Sequence, residues 1–387
     1  MLFRPSEKKI GVLGAGQLGK MLITETAHLD IELSFYDSDP NAPAAKHSRK
    51  FFCGDLMDKE SVFDFGMDHD IITIEIEHVS VEALELLEQS GKQVYPQSHV
   101  LKMIQDKGLQ KSFLDEHKIP TAPFFLCEDL KDILLLIEAN KMNFPFVQKT
   151  RKGGYDGKGV QIIHNEQELN KLWDLPSVIE RKADIEVEIA VIIARSVSGE
   201  IAVYPPVSMD FHPEANLVEW VVYPAEISEE IKERSLELAK QCAQRLNHVG
   251  LLAIEMFVNR DGSIWINEMA PRPHNSGHVS LNNGAVSQFE NHIRAILDLP
   301  LGNAIGNLET IMINVLGEAG HEGIAVYNNL NQLLSDSHVH PFLYGKEKTK
   351  PYRKMGHINI TGDHIKDIKS KAKWIKQTLQ VISSKLG

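Results

Sequence analysis

The sequence predicts a multidomain α/β and α+β fold, and three stretches carry that prediction. Near the start, a short apolar strand, a glycine-rich turn and a helix follow one another from Lys9 to about His28, the opening of an α/β unit. In the middle, a basic glycine-rich loop joins two strands, Phe144–Lys149 and Val160–Ile163. Further on, two apolar runs, Leu251–Val258 and Ser263–Met269, flank Asp261–Gly262, a strong hairpin signal. With 387 residues the chain has room for two or three domains.

Composition narrows the function. A net charge of −12 argues against a broad nucleic-acid surface, though not against a local basic pocket for an anionic substrate. Cys53, Cys127 and Cys242 lie far apart and are odd in number, so neither a disulfide framework nor a zinc spacing is expected, and a reducing cytoplasm fits. The opening MLFRPSEKK lacks the apolar core of a signal peptide. No apolar run approaches the roughly 18 residues of a membrane span.

The first strand, Lys9–Leu13, feeds Gly14-Ala-Gly16-Gln-Leu-Gly19 and a helix. Glycines let backbone approach an anion, and a helix N-terminus favours negative charge. Asp37 at the end of the next strand, Ile31–Tyr36, completes a dinucleotide-type fingerprint. It fits NAD, another phosphate-bearing ligand, or plain strand–helix packing. Asp70–Ile76 is a strand whose carboxyl end carries Glu75 and Glu77. Ligands of open α/β sheets bind there, so either acid is a candidate for a hydroxyl or amine; solvated strand-end charge is the alternative. Ser80 caps a helix to about Gln89, and Val94–Pro96 closes the sheet. Asp106–His117 reads as a helix, and Pro120 and Pro123 mark the crossing into a second domain.

The loop Thr150–Gly159 holds four glycines and is not a Walker loop, which needs a helix and a GK[ST] end. Its backbone N–H groups suit a lid over a polyphosphate, with Tyr155 and Asp156 at the tip and Lys149 as a point charge. Ser177–Arg181 is a strand leading into Glu180-Arg181-Lys182-Ala183, with Glu186 and Glu188 following in Ile185–Ala194. A strand-to-loop turn with an acid a few residues on offers what adenine and ribose need; an alternating half-exposed strand reads equally well. Ser228–Asn247 is an amphipathic helix with Cys242 on its apolar face, so this cysteine belongs to the core.

In the hairpin, a two-residue loop at Asp261–Gly262 sets Glu255 opposite Glu268, on one face and about 5 Å apart at Cβ. A four-residue loop shifts the register by two and keeps them on that side, whereas a three-residue loop separates them, because side chains alternate. Asn267 is expected on the opposite face. Opposed like charges destabilise a sheet unless one is protonated, both are solvated, or a cation lies between them. All-oxygen ligands suit Mg²⁺. Beyond the hairpin, Arg272, His274, Asn275, Ser276 and His278 gather in a loop; Arg272 offers a fork for phosphate or carboxylate, and His274 a group to move a proton. Gln288–Leu297 is a helix, Ile311–Leu316 opens a small C-terminal module, and Lys346–His357 is a basic run before the strand His357–Ile360. Lys366–Leu386 is expected as an amphipathic helix.

Gly153-Gly-Tyr-Asp-Gly-Lys-Gly159, Ala253-Ile-Glu255, Ile266-Asn-Glu-Met-Ala-Pro-Arg272 and Pro273-His-Asn-Ser-Gly-His278 together resemble the N5-carboxyaminoimidazole ribonucleotide synthetase family. The likeness runs from Gly11 to about Ile360. It implies an ATP-grasp fold: a Rossmann-like pre-ATP-grasp domain (1–108), an ATP-grasp domain (109–303, lid about 120–184) and a small C-terminal domain (304–387). It implies a ligase of purine biosynthesis using ATP, bicarbonate and 5-aminoimidazole ribonucleotide, with Mg²⁺, or Mn²⁺ in its place, and a cytoplasmic homodimer.

Carried across, Lys107 and Lys149 contact ATP phosphates under the loop Gly154, Tyr155, Asp156, Gly157, Lys158, Gly159 and Val160. Glu180, Arg181, Lys182 and Ala183 hold adenine, Glu188 the ribose, and His212 matches a nucleotide-site histidine. Asn267 and Glu268 face the phosphates, and Glu255 with Glu268 binds the metal. Asp156, Arg272 and His274 are the catalytic candidates. Gln17, Leu18, Glu75, Glu77, Asn275, Ser276, Lys346, Arg353 and Lys354 are the substrate-binding ones. Val160 stands where the family often has Gln, and Lys350 and Tyr352 where it often has Arg and Gly. The rivals are a formate-dependent glycinamide ribonucleotide transformylase, a biotin carboxylase-like enzyme, an NAD-dependent oxidoreductase and a silent nucleotide-binding subunit.

Overall fold

The structure is a computed structural model that describes residues 7–154, 159–211 and 217–384. The chain begins with β1 (Ile10–Leu13), α1 (Gln17–Thr26), β2 (Leu33–Asp37), β3 (Lys50–Cys53), α2 (Lys59–Met67), β4 (Ile71–Ile74), α3 (Val81–Gln89) and β5 (Gln93–Tyr95). The sheet order is β3-β2-β1-β4-β5, all parallel. β1 and β4 are buried along their whole length, as strands covered on both faces must be. Asp58 and Ser80 cap α2 and α3, each accepting a backbone N–H three residues on. The second strand starts two residues later than its apolar run suggests and extends to Asp37.

Two short helices, α4 (Ser98–Ile104) and α5 (Lys107–Glu116), lead to a four-stranded antiparallel sheet. Its members are β6 (Phe124–Cys127), β7 (Phe146–Thr150), β8 (Val160–Ile163) and β9 (Ser177–Arg181), ordered β6-β9-β7-β8, with α6 (Leu130–Glu138) packed against them. β7 and β8 are the strands expected on either side of the glycine loop.

Most of the remaining strands build one large sheet, and Gly323–Asn328, Lys348–Thr349 and Gln380–Ser383 pair separately. β10 (Ile185–Arg195), β11 (Ile201–Val203), β12 (Val207–Phe211), β13 (Val218–Tyr223), β14 (Gly250–Asn259) and β15 (Ile264–Ala270) are its first members, and α7 (Glu229–Arg245) covers one face. Ala239, Cys242 and Ala243 of α7 pack on Ile189, Val191, Leu252, Ile254 and Met256, so Cys242 is core as expected. After α8 (Gln288–Ile296) come β16 (Glu309–Leu316), β17 (Gly323–Asn328), α9 (Leu330–Leu333), β18 (Val339–Leu343), β19 (Lys348–Thr349), β20 (Lys354–Gly362), α10 (Ile365–Thr378) and β21 (Gln380–Ser383). The order is β15-β14-β10-β12-β13-β16-β20-β18. The C-terminal module therefore extends the central sheet, through Trp220–Tyr223 paired with Thr310–Ile313.

The expected terminal helix stops at Thr378; Gln380–Ser383 instead pairs with β17, where Val381 is buried. The β-branched Val381 and Ile382 suit a ladder better than a helix end. Leu386, the expected end of that helix, lies outside the described residues. No helix among the described residues is long and apolar enough to cross a membrane.

Candidate active site

The hairpin β14–β15 places Glu255 opposite Glu268, as expected, but by another route. The loop has three residues: Asn259 N–H donates to Ser263 carbonyl at 2.8 Å, and Gly262 takes φ +77° between them. In the register this loop sets, Val258 faces Ile264 and Met256 faces Ile266, so Glu255 would meet Asn267. A β-bulge follows, and Asn267 is its extra residue. The bulge returns Glu268 to the face of Glu255, and Asn267 also points into the cleft rather than away from it as alternation predicts. Its Oδ1 accepts from Lys149 Nζ at 2.8 Å. Partners from elsewhere hold the bulged strand: Ile266 N–H donates to Pro120 carbonyl and Met269 N–H to Gln110 Oε1.

The two acids are not equivalent. Glu268 pairs with Lys107 at 2.8 Å, and that ammonium, ahead of every other influence, draws its carboxyl down to about 2. Glu255 is pushed up to about 8, by burial first and by Glu268 second. His274 Nε2 approaches Glu255 Oε1 at 3.5 Å, while its Nδ1 meets Ser276 Oγ at 2.9 Å. Glu188 lies on the same face of β10, one pair of residues from Ala190, which faces Glu255. Burial raises it to about 7, despite Lys149. A divalent cation fits this set. Two opposed carboxylates, one short of a basic partner strong enough to keep it ionised, are what an all-oxygen hard-metal site supplies.

Lys149, on β7, also pairs with Glu180 at 2.9 Å. Glu180 therefore directs its carboxylate to Lys149 and Lys111, while Arg181 and Lys182 beyond it are exposed and Ala183 is buried. Lys107 starts α5, which Asp106 caps; Asp106 in turn binds Arg151 at the end of β7. Burial works to lower the Lys107 ammonium and Glu268 overrides it, leaving it raised.

The loop after β15 supplies the other wall. Arg272 pairs with Glu77 at 3.1 Å. Asn275 and Asn314 exchange side-chain hydrogen bonds at 2.9 Å, which fixes the loop against β16. Ser276 and His278 are buried, and His278 stacks near His357; burial, then His357, holds it well below its ordinary value. Lys354 opens β20, and its charge is felt at Glu255. Lys346 Nζ donates to Lys354 carbonyl and Arg353 Nη1 to Lys348 carbonyl, so this basic turn is partly tied to itself.

The glycine turn after β1 is filled from within. Glu75 accepts from Gly16 N–H at 3.0 Å and Gly19 N–H at 3.1 Å, and Asp37 from Ala15 N–H at 2.7 Å. A Cβ on Gly16 would lie 2.9 Å from Glu75 Oε1. Burial raises the Glu75 carboxyl, and these N–H groups and Arg272 draw it back. A dinucleotide pyrophosphate would have to expel this carboxylate, which removes the basis for NAD. Leu18 is core, and Gln17 begins α1.

Gly154, Gly159 and Val160 border the glycine loop, whereas Tyr155, Asp156, Gly157, Lys158 and His212 lie outside the described residues. Lys111, at 3 % exposed, went unread in the sequence; its signal was its place one helical turn beyond Lys107.

Three family models cover the chain in succession: a ribonucleotide synthetase preATP-grasp domain over residues 7–105, an ATP-grasp domain over 112–289, and a phosphoribosylaminoimidazole carboxylase C-terminal domain over 310–371. An N5-carboxyaminoimidazole ribonucleotide synthase of Bacillus subtilis is 32% identical, over 91% of this chain and 90% of its own. A phosphoribosylaminoimidazole carboxylase of Candida glabrata is 34% identical over 95% of this chain, which spans 66% of that longer relative. The crystal structure of the Thermotoga maritima N5-carboxyaminoimidazole ribonucleotide synthetase matches with a TM-score of 0.89 at 37% identity, over 97% of this chain and 100% of that one. An Aspergillus clavatus N5-carboxyaminoimidazole synthase, crystallised with ADP and 5-aminoimidazole ribonucleotide, matches at 0.87 with 30% identity over 96% and 98%. Fold, domain order and relatives agree: the chain belongs to the N5-carboxyaminoimidazole ribonucleotide synthase family of ATP-grasp ligases.

Proposed function

We propose that this chain carboxylates 5-aminoimidazole ribonucleotide on its amine, using ATP and bicarbonate and releasing ADP and phosphate. The reading rests on one arrangement: Glu255 and Glu268 opposed on a single face, with Lys107 and Lys149 beside them and the Arg272–His278 loop across the cleft. A bicarbonate oxygen takes the γ-phosphoryl group of ATP, giving carboxyphosphate and ADP. The amine then takes the carboxyl carbon, by way of released CO₂, and phosphate departs.

Lys107 and Lys149 neutralise charge on the phosphates, and Lys149 reaches them from the strand that enters the glycine loop. A divalent cation held by Glu255 and Glu268 would neutralise charge developing on the transferred phosphoryl group. Arg272 has a planar fork matched to bicarbonate, and Glu77 holds that fork in place until substrate enters. His274 approaches Glu255 from that loop through Nε2, where it can hold a proton. Carboxyphosphate falls apart in water, so the glycine loop is read as the lid that excludes it. Asp156 is assigned to orient the amine and accept its proton. We read the working form as a cytoplasmic homodimer, on the family resemblance and the free Cys53, Cys127 and Cys242.

The test compares ADP release with aminoimidazole ribonucleotide plus bicarbonate against glycinamide ribonucleotide plus formate. Turnover with the first pair alone is expected; turnover with the second, or with neither, overturns the assignment.

A further inference from the structure

Lys111 is 3 % exposed and Glu180 2 %, and both lie beneath the cleft floor. Glu180 Oε1 meets Lys111 Nζ at 2.9 Å, and Oε2 meets Lys149 Nζ at the same distance. Two cations thus share one anion, which leaves one net positive charge in the group. Lys111 cannot itself reach into the cleft. Its Nζ donates to Thr121 Oγ1, and Thr121 donates to Ile266 carbonyl at 2.8 Å, one residue before Asn267. Lys149 is the end of this chain of contacts nearest the cleft, with Asn267 as its other partner.

A buried cation one turn from another on the same helix carries a desolvation cost and like-charge repulsion with Lys107. The shared Glu180 works against both, and burial still draws the Lys111 ammonium down to about 8. Without Lys111, Glu180 would be matched by Lys149 alone. The pair would be neutral, and Lys149 would be drawn down onto the acid. We propose that Lys111 is a positioning residue: it takes half of the Glu180 carboxylate so that the charge of Lys149 stays available to the phosphates of the nucleotide. This rests on the reading that Lys149 faces those phosphates.

Three variants separate the possibilities. Lys149→Met tests the underlying reading: an unchanged ADP dissociation constant by calorimetry sinks it, whatever Lys111 does. Lys111→Met should weaken ADP binding and raise KM for ATP by roughly tenfold, the scale of one desolvated charge contact, with KM for aminoimidazole ribonucleotide little changed. Lys111→Met with Glu180→Gln removes both charges and leaves Lys149 unshared, so nucleotide affinity should return most of the way. A buried lysine with a structural role alone would move the melting temperature without this recovery. Unchanged ADP affinity in Lys111→Met, or a double variant no better than the single, overturns the proposal. Should the single variant not fold, a folded double variant with near-parental ADP affinity supports it, and a double variant that also fails to fold or binds weakly overturns it.

Discussion

Two places in this molecule are built to attract negative charge, and they use it differently. At the glycine turn of the N-terminal sheet, the N–H groups of Ala15, Gly16 and Gly19 are all taken by Asp37 and Glu75 of the chain itself. In the central cleft, Lys107, Lys149 and Arg272 also have acidic partners, Glu268, Glu180 and Glu77, but Glu255 stands opposite Glu268 and its carboxyl is pushed up by burial and by that neighbour. The first place is a closed account of donors and acceptors. The second leaves like charges opposed, an arrangement suited to a cation and an anionic ligand together. A motif therefore identifies a site only after its hydrogen-bond donors have been counted.

The sharpest way to break this contrast is Glu268→Gln. It keeps the shape and removes the charge, and kcat/KM should fall on the order of a hundredfold to a thousandfold. A loss below tenfold would mean the opposed acids are not the centre of the chemistry. Next is Glu75→Ala, which strips the partner from two buried N–H groups. Urea unfolding should show a loss of about 1–3 kcal/mol, and millimolar sulfate should stabilise the variant but not the parent. Absence of a sulfate effect would mean that the turn is packing rather than a filled anion cradle.

Glu255 gives a pH test. Its ordinary carboxyl value of 4.5 becomes about 8 in the folded chain, chiefly through burial. The folded state then keeps a proton that the unfolded chain releases. That contribution to stability is complete below about 4.5 and is lost as pH rises through about 8. Without added metal, Glu255→Gln should be increasingly more stable than the parent from about pH 5 to about pH 9. Parallel melting curves across that range would contradict the raised carboxyl. The smallest effect belongs to Gly262→Ala, where φ +77° strains any side chain. A loss of about 1 kcal/mol with unchanged activity is expected. A large loss of activity would mean that the turn, rather than the bulge, sets the acids.

Much of the site was legible because its signals are local. The apolar runs on either side of Asp261–Gly262 gave the hairpin, and Ser228 before a periodic stretch gave α7 its start, where Ser228 Oγ does cap Ile231 N–H. What was not legible came from distant partners. Pro120 and Gln110 hold the strand that carries the bulge, and nothing near Asn267 announces them. Glu75 fills a turn 59 residues before it. Strand order across Trp220–Tyr223 and Thr310–Ile313, which joins the C-terminal module to the central sheet, is likewise a long-range pairing. Lys111 was hidden for a different reason: a lysine on an amphipathic helix reads as solvated until burial is known.

The bulge at Asn267 has a consequence for how this hairpin tolerates insertions and deletions. Its odd-length turn and its single supernumerary residue each change the parity of the strand, and the two changes cancel before Glu268. Losing either one alone would rotate the acid to the α7 side, among Ile254, Met256 and Ala243. Lengths at these two points are therefore free to vary only in concert, and a homologue with a shorter turn should have a straight second strand.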